Sequence, residues 1–265
     1  KTKKQSFEIA KQIFKGKFKS SKKVVLEEFL EGEEASYFLI VDKKSFINFG
    51  TAQDHKKVFE KEKGPNTGGM GAYSPAPIID KNLENKIITR IVKPTLQALK
   101  DKKQFYRGFL YVGLMIKNKD PYLIEYNVRM GDPECQTILP KLKTDLVKII
   151  EACCNKTLAD IKIEWINKKS LCVVLCSKGY PDTYRKNILI NNLENFTLDE
   201  DNFIFHAGTK KENNKIYATG GRVLNFISLS NNFLKARNEI HQCIKKLDWH
   251  GGFHRRDIGF KVKFS

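Results

Sequence analysis

Apolar residues recur along the chain first at helical spacing and then in the short blocks that are typical of strands. The apolar positions of residues 7–18 (FEIAKQIFKGKF) fall on one face of an amphipathic helix, which we expect to end near Gly16. Strands are predicted at 24–30, 35–41 and 45–49. Together these three strands would form a meander with an acidic connector after the first of them.

The middle of the chain predicts a buried strand followed by a polar one. Residues 109–116 (FLYVGLMI) are apolar throughout, as in a central strand that is covered on both faces. Before them, Asp80 is expected to cap a helix that kinks near Pro94. A turn then leads into residues 123–134 (LIEYNVRMGDPE).

The last third of the chain has shorter strands, and this change predicts a domain boundary at 158–169. Thr144 is expected to cap a helix over 145–154 before that boundary. Beyond it, strands are predicted at 171–176, 203–207 and 222–227, and a helix at 233–246. Four basic residues there belong to no recognisable group and are expected to be structural or on the surface: His206, Arg222, Arg255 and Arg256.

Residues 123–134 carry the clearest candidate chemistry. If the segment is a strand, its period of two separates a polar face from a core face. The polar face would carry Glu125, Asn127 and Arg129, and the core face Ile124, Tyr126 and Val128. A carboxylate, a carboxamide oxygen and a guanidinium in a row suit Mg²⁺ next to a phosphate. The alternative is a half-exposed edge strand whose polar face meets water. The following GDPE favours a site, because it adds two carboxylates beyond the strand end, where α/β folds bind ligands.

Residues 51–77 (TAQDHKKVFEKEKGPNTGGMGAYSPAP) appear too polar and too rich in Gly and Pro for regular structure. A loop of this length inside a domain is usually functional. Its stretch 64–71 would offer backbone N–H groups to an anion or small substrate, and His55, Lys56 and Lys57 add positive charge. A disordered surface loop is the alternative, although its apolar centre argues against it.

An acidic hinge precedes this loop. The backbone of Glu27, Glu28 and Leu30 could hydrogen-bond an adenine edge, and Glu34 could accept hydroxyl donors from a ribose. A solvated acidic turn would have the same composition, so both interpretations remain open from these residues alone.

Composition narrows the class of protein. The net charge of +18 comes mostly from lysines spread over all 265 residues, which indicates a compositional bias and no dedicated nucleic-acid site. No apolar run is long enough to span a membrane, and no signal peptide is recognisable. The six cysteines lack zinc spacing, so we expect reduced thiols in a cytoplasmic protein.

Three groups of motifs resemble the phosphoribosylamine–glycine ligase family of the ATP-grasp superfamily. They are VVLEEFLEGEEASY, TAQDHKKV with GPNTGGMGAYSPAP, and GFLYVGLMI with LIEYNVRMGDPECQ. The resemblance implies an α/β (α+β) fold with a mostly antiparallel ATP-grasp core. It also implies ATP-dependent formation of an acyl phosphate from glycine, which the amine of 5-phosphoribosylamine then attacks.

The resemblance further implies a division of the chain. Residues 1–32 would end the ATP-lid subdomain, 33–160 would form the catalytic core, and 161–265 a smaller α+β domain. The family's N-terminal domain and its lysine-bearing, Gly-rich segment have no counterpart here, so we expect a missing N-terminal part. The apolar strand 109–116 also offers no acidic metal ligand, which would leave two ligands from the protein.

Individual roles follow from the resemblance only. Glu125 and Asn127 would hold Mg²⁺ or Mn²⁺, and Arg129 would steady the transferred phosphoryl group. The residues expected to contact ATP are Glu27, Glu28 and Leu30 at the adenine, Glu34 at the ribose, and Lys56 or Lys57 at a phosphate. Those expected to face glycine and the ribosylamine are Asn66, Thr67, Gly68, Gly69, Met70 and Gly71, with Asp132, Pro133 and Glu134. The remaining alternatives are another ATP-grasp ligase, an inactive fragment and a basic binding module.

Overall fold

The computed structural model describes residues 2–17, 23–193, 196–247 and 249–262. They form two compact units that divide between Glu31 and Gly32. Phe18, the last residue of the first predicted helix, lies outside the described residues, as do both ends of the chain.

The first unit contains one helix, α1 (Lys3–Gln12), which a π-helical turn extends over Ile13–Lys17. Thr2 and Gln5 form a capping box: the Gln5 N–H donates to Thr2 Oγ1 (3.3 Å) and the Thr2 N–H donates to Gln5 Oε1 (3.0 Å). The predicted helix is therefore confirmed. The strand predicted at 24–30 is wrong, because these residues pair with no neighbouring strand and a strand exists only through such pairs.

The second unit combines fourteen strands with five helices among the described residues. The helices are α2 (Lys81–Ile87), α3 (Lys93–Asp101), α4 (Glu134–Ile138), α5 (Leu146–Asn155) and α6 (Phe233–Leu247). The strands are β1 (Glu33–Asp42), β2 (Phe46–Asp54), β3 (Lys57–Phe59), β4 (Lys63–Asn66), β5 (Gly71–Ser74), β6 (Arg107–Lys117), β7 (Asp120–Asn127), β8 (Lys169–Ser177), β9 (Ile188–Ile190), β10 (Asn202–His206), β11 (Thr209–Glu212), β12 (Lys215–Ala218), β13 (Arg222–Ser230) and β14 (Gly252–Phe253).

One antiparallel sheet organises this unit. Its strands lie in the order β10, β13, β8, β5, β2, β1, β6, β7, and β14 pairs with β8. Helices α2 and α3 cover one face of β1 and β6, and α5 covers the other. The predicted α/β fold with a mostly antiparallel sheet is confirmed, and so is the central position of the strand predicted at 109–116.

Strand β7 lies at the edge of this sheet. It ends at Asn127, so Arg129 is in the bend beyond the strand and does not share its face. Only Tyr126 of the predicted core face packs against a core; Ile124 is exposed, and Val128 exposes 74% of its surface. The expectation of a buried second face was wrong, because an edge strand has a neighbour on one side only.

The segment 51–77 is not an irregular loop. It contains the end of β2, the hairpin of β3 and β4, and β5. Strand β5 pairs with β2 on one side and with β8 on the other, which orders a sequence that has little strand propensity of its own. Met70 and Tyr73 are consequently buried in the same apolar core as β8, β13 and α6.

The pairing of β5 with β8 carries the sheet across the boundary predicted at 158–169. The division of the chain at 160/161 therefore stays a prediction. The six cysteines are all free, as expected. Within the described residues, none of the helices has the length and apolar character needed to cross a membrane.

Two predicted helix caps can be compared with the structure. Asp80 Oδ1 accepts a hydrogen bond from the Leu83 N–H (2.7 Å), as expected, and a π-helical turn over Ile88–Val92 precedes Pro94. The prediction for Thr144 was wrong: its hydroxyl accepts from the Glu164 N–H (2.7 Å). Asp145 caps α5 instead, with Oδ1 2.7 Å from the Val147 nitrogen.

Candidate active site

The predicted metal ligands lie together at the end of β7. Asn127 donates from Nδ2 to Glu125 Oε1 over 3.1 Å, so the amide oxygen of Asn127 points away from this bond. A carboxylate and a carboxamide oxygen suit a hard divalent cation. The described residues contain no group of three or more His, Cys, Asp or Glu side chains arranged to hold a metal. The donor set thus fits a cation that takes two ligands from the protein and the rest from phosphate and water.

Beside Glu125, a cavity of about 10 Å³ opens between β1, β2, β6 and β7. Its polar lining consists of Glu34, Ser36, Asp54, Lys56, Tyr111 and Glu125. Lys56 forms an ion pair with Glu34. Burial alone would lower the pKa of Lys56, but the carboxylates of Asp54 and Glu34 outweigh burial and raise that pKa above its ordinary value. Lys56 is therefore positively charged at this cavity.

Glu134, the first residue of α4, is buried next to this cavity. Ser36 donates from Oγ to Glu134 Oε1 (3.2 Å), and the same hydroxyl lies 3.0 Å from that of Tyr111. Gly131 allows this arrangement, because a Cβ there would lie 2.5 Å from the Glu134 carboxylate. Burial raises the pKa of Glu134. Burial raises the pKa of Asp54 as well, and the negative charge of Glu134 raises that pKa further.

The glycine-rich segment 64–71 is already hydrogen-bonded within the protein. The N–H groups of Thr67 and Met70 donate to the carbonyl oxygens of Lys56 (2.7 Å) and His55 (2.8 Å). That of Gly69 donates to Thr67 Oγ1 over 3.0 Å. These groups are not free to surround an anion, contrary to the expectation from sequence. The Met70 side chain is wholly buried, so it cannot offer a substrate contact.

Arg222 joins this segment to the turn at Asp132, although the sequence placed Arg222 in no functional group. Its Nη1 donates to the carbonyl oxygens of Gly68 (2.6 Å) and Asp132 (2.9 Å), and its Nη2 lies 2.8 Å from Asp132 Oδ2. The Gly68 N–H donates to the hydroxyl of Tyr180 (2.9 Å). Arg222 thus has the structural contacts expected of it, but the expectation that it belongs to no group was wrong.

The other predicted site residues are less constrained. Arg129 is exposed and donates from Nη1 to the Met130 carbonyl (2.9 Å). Asn66 is exposed on β4, and Pro133 is buried beside Asp132. Of the two lysines, Lys56 lines the cavity. The carbonyl oxygen of Lys57 accepts a hydrogen bond from the buried Arg255. Glu27, Glu28 and Leu30 belong to the first unit, the first two exposed and the third half-buried, and their contact with adenine stays a prediction.

A buried network supports the strand end that carries Asp54 and Lys56. Its centre is Arg255, which is only 1% exposed. Arg255 pairs with Asp257 (2.8 Å) and Glu62 (2.9 Å) and donates to the Lys57 carbonyl (2.9 Å). This group could not be recognised from the sequence, because Arg255 and Asp257 are about 200 residues from His55, Lys57 and Glu62 along the chain.

His55 completes this network and is fully buried. The Gly259 N–H donates to Nε2 (3.0 Å), so the imidazole hydrogen is on Nδ1, which lies 2.7 Å from Glu62 Oε1. Burial lowers the pKa of His55, and the guanidinium of Arg255 acts in the same direction, against the opposing effect of Glu62. The native network therefore holds His55 in its neutral form.

The lowered pKa of His55 predicts that this residue reduces the stability of the fold in acid. The unfolded chain binds a proton at His55 near its ordinary pKa of about 6.5, whereas the folded chain binds it only at lower pH. The stabilising contribution is complete above about pH 6.5 and is lost as the pH falls towards the lowered pKa. The raised pKa values of Asp54 and Glu134 act in the opposite direction over the same range, so the contribution of His55 is measured as the difference between two proteins in the change of calorimetric melting temperature from pH 7.5 to pH 5.5.

The variant His55→Asn is needed to isolate this contribution, because the half-buried His254, whose pKa is lowered to about 4, also favours the neutral form. Between pH 7.5 and pH 5.5, we expect acidification to lower the melting temperature of His55→Asn less than that of the natural protein. His206→Asn, at an exposed position, is the matched control and should keep the natural pH dependence. Equal pH dependence in the natural protein and His55→Asn would contradict the assignment.

Comparisons with known proteins agree with this architecture. Residues 1–135 match the family model described as phosphoribosylglycinamide synthetase, ATP-grasp (A) domain, and residues 170–261 match the C domain of the same synthetase. The phosphoribosylamine–glycine ligase of Fusobacterium nucleatum is 46% identical over 237 residues, which are 89% of this chain and 56% of that protein. The chloroplastic ligase of Arabidopsis thaliana is 41% identical over 264 residues, 97% of this chain and 50% of that protein. The chain thus spans about half the length of the curated relatives that it matches.

Solved structures give the same result. The crystal structure of phosphoribosylamine–glycine ligase from Thermotoga maritima superposes with a TM-score of 0.85 at 32% identity and covers 97% of this chain and 64% of that one. The biotin carboxylase domain of a thermophilic 2-oxoglutarate carboxylase shares the fold alone, with a TM-score of 0.57 at 14% identity over 83% of this chain and 47% of that one. From the two family models, the sequence relatives and the Thermotoga structure, this chain belongs to the phosphoribosylamine–glycine ligase family.

Proposed function

We propose that the full-length protein ligates glycine to 5-phosphoribosylamine at the expense of ATP, giving glycinamide ribonucleotide, ADP and phosphate. The observation that supports this most directly is the Glu125 and Asn127 pair beside the Lys56 cavity, in a chain of this family. The sequence relatives described above are all named for this ligase, which favours it over another ATP-grasp ligase or a basic binding module. We also infer a cytoplasmic enzyme with no specific nucleic-acid partner, consistent with its free cysteines.

Glu125 and Asn127 are the residues that would hold Mg²⁺ or Mn²⁺. A cation bound there would neutralise the charge that develops on the phosphates of ATP during transfer. Lys56 lines the cavity next to Glu125 and is placed to contribute its own positive charge to a phosphate. Arg129 can leave the Met130 carbonyl, a single hydrogen bond in an exposed position, and steady the transferred phosphoryl group.

Recognition of the nucleotide is assigned to the acidic segment. In this proposal, Glu34 of the second unit binds ribose hydroxyls. The adenine contact of the Glu27, Glu28 and Leu30 backbone, in the first unit, is a separate prediction from the sequence. The carboxylate of Glu34 pairs with Lys56 in the structure, so ribose binding would require Lys56 to exchange this partner for a phosphate. The phosphate would then compensate the charge of Lys56, and the ribose hydroxyls would donate hydrogen bonds to the Glu34 carboxylate.

Asp132, Pro133 and Glu134 would form the surface for glycine and the ribosylamine, next to Asn66, Thr67, Gly68, Gly69 and Gly71. The amine loses a proton as it attacks the acyl phosphate. Asp132 and Glu134 are the carboxylates that we assign to this proton transfer; Asp132 is exposed, and Glu134 is buried two residues further on. Glu134 also lies at the N-terminus of α4, where the Ser36 hydroxyl fixes its orientation.

The direct test is ADP release by the full-length protein. The assay combines ATP and Mg²⁺ with glycine and freshly made 5-phosphoribosylamine, added together and singly. We expect turnover only when both co-substrates are present, because the acyl phosphate must form and then be attacked. ADP release that does not depend on glycine would rule out this substrate assignment.

A further inference from the structure

Three segments that are distant in the sequence meet at the guanidinium of Arg222. They are the glycine-rich segment at Gly68, the turn at Asp132 and the first residue of β13. Nη1 donates to two carbonyl oxygens, one from each of the first two segments, at 2.6 and 2.9 Å. Nη2 holds the Asp132 carboxylate at 2.8 Å. One side chain thus sets the separation between the two segments assigned above to substrate binding.

The contact is closer than an ordinary surface ion pair. The Arg222 side chain is 22% exposed, against 50% for that of Asp132, so its guanidinium is largely enclosed by the backbone that it binds. A Cβ on Gly68 would lie 2.9 Å from Arg222 Cζ, which explains why this position is glycine. A planar fork of donors can serve three acceptors in fixed directions, whereas a lysine ammonium is a single point of charge.

Tyr180 holds the same segment from its other side. Its hydroxyl accepts from the Gly68 N–H over 2.9 Å, so the N–H and the carbonyl of Gly68 are both bound to residues beyond 170. The Ser177 hydroxyl fixes the chain before Arg222 by donating to the Gly220 carbonyl (2.8 Å). Arg222 and Tyr180 are therefore placed by the same strand pair, β8 and β13.

We propose that Arg222 is a positioning residue that fixes the glycine-rich segment against the Asp132 turn, and that the C-terminal part of the chain thereby determines the binding of glycine and the ribosylamine. Tyr180 shares this role. The proposal rests on the proposed function for the identity of the substrates. The hydrogen bonds that support the positioning role are all within the protein and do not depend on which substrates it binds.

The test compares Arg222→Lys and Gly68→Ala with the natural full-length protein. Both changes should break the contact of the guanidinium with Gly68: Arg222→Lys replaces the guanidinium by a single ammonium group, and Gly68→Ala puts a Cβ 2.9 Å from Arg222 Cζ. We expect kcat/KM for glycine and for 5-phosphoribosylamine to fall by about 10- to 100-fold, since misplacement by about 1 Å has effects of this size. The KM for ATP should stay within about twofold, because ATP is assigned to residues that Arg222 does not touch.

Arg90→Lys is the matched control. Arg90 also pairs with an aspartate, Asp120 at 3.0 Å, but it is 59% exposed and touches neither segment. It should keep natural kinetics. The double variant of Arg222→Lys with Tyr180→Phe should lose less than the sum of the single changes, because both residues hold Gly68. A parallel rise in the KM for ATP, or equal effects of Arg90→Lys, would overturn the proposal.

Amide hydrogen exchange separates this proposal from the proposed function. Without any substrate, exchange in a peptide that covers 64–71 should be faster in Arg222→Lys than in the natural protein and unchanged in Arg90→Lys. Unchanged exchange in Arg222→Lys overturns the positioning role even if the ligase reaction is observed. Faster exchange in a protein without ligase activity supports the positioning role and rejects the proposed substrates.

Discussion

Replacing Glu125 with alanine in the full-length protein is expected to lower kcat by at least about 100-fold. The change removes one of two protein ligands proposed for the divalent cation, and loss of even an indirect partner of a metal costs about 10- to 100-fold. Asn127 alone cannot compensate, because its carboxamide oxygen is neutral and supplies a single ligand. The measurement is the steady-state rate of ADP release at saturating ATP, glycine and 5-phosphoribosylamine.

Two controls sharpen this result. Glu151→Ala removes an exposed glutamate of α5 and should leave kcat unchanged. Glu125→Gln keeps the shape of the side chain but not its charge, so it should need a higher Mg²⁺ concentration for half-maximal activity. Natural kcat in Glu125→Ala would mean that the cation is bound elsewhere. The half-buried Asp54 and the buried Glu134 would then be the next residues to change.

Replacing Arg255 with methionine is expected to lower the free energy of unfolding by about 3 kcal/mol. Removal of one partner from a buried ion pair costs roughly 3–5 kcal/mol, because a charge is left without compensation. The lower end applies here, since the Glu62 side chain is 32% exposed and water can reach it. Urea unfolding, followed by circular dichroism, gives the change directly.

The adjacent Arg256 provides the control for Arg255. It is exposed, and only its backbone N–H bonds to Glu60 (3.3 Å), so Arg256→Met should alter stability by no more than about 0.5 kcal/mol. The two variants have the same composition and differ by one position. Equal stability of Arg255→Met and Arg256→Met would show that the buried network contributes little to the fold.

Local patterns predicted the elements whose partners lie nearby or whose burial is uniform. The apolar run at 109–116 became β6, and the periodicity after Asp80 and at 233–246 became helices. The predictions for residues 24–30 and 51–77 were wrong for opposite reasons. The first has strand-like residues but no pairing partner, while the second has poor strand propensity but two partners, β2 and β8. Pairing over long distances is not encoded in the local pattern.

The candidate site was only partly visible for the same reason. Glu125 and Asn127 could be found because they are two residues apart on one strand. Asp54, Ser36 and Tyr111 come from three different strands, and neither their spacing nor their residue types mark them. Arg222 was missed because its partners are 90 and 154 residues away. In each case the missing information is the register of a sheet, which brings these residues to one place.

The continuous sheet limits how this chain can be divided. A break near residue 160, whether by a protease or by a gene boundary, would separate β8 from β5 and leave each with a row of unpaired N–H and C=O groups. Unpaired strand edges of this kind pair readily with other chains. Met70 and Tyr73 would lose their surroundings in the same break, because their core lies on the other side of it. The two halves are therefore expected to be stably folded only in each other's presence.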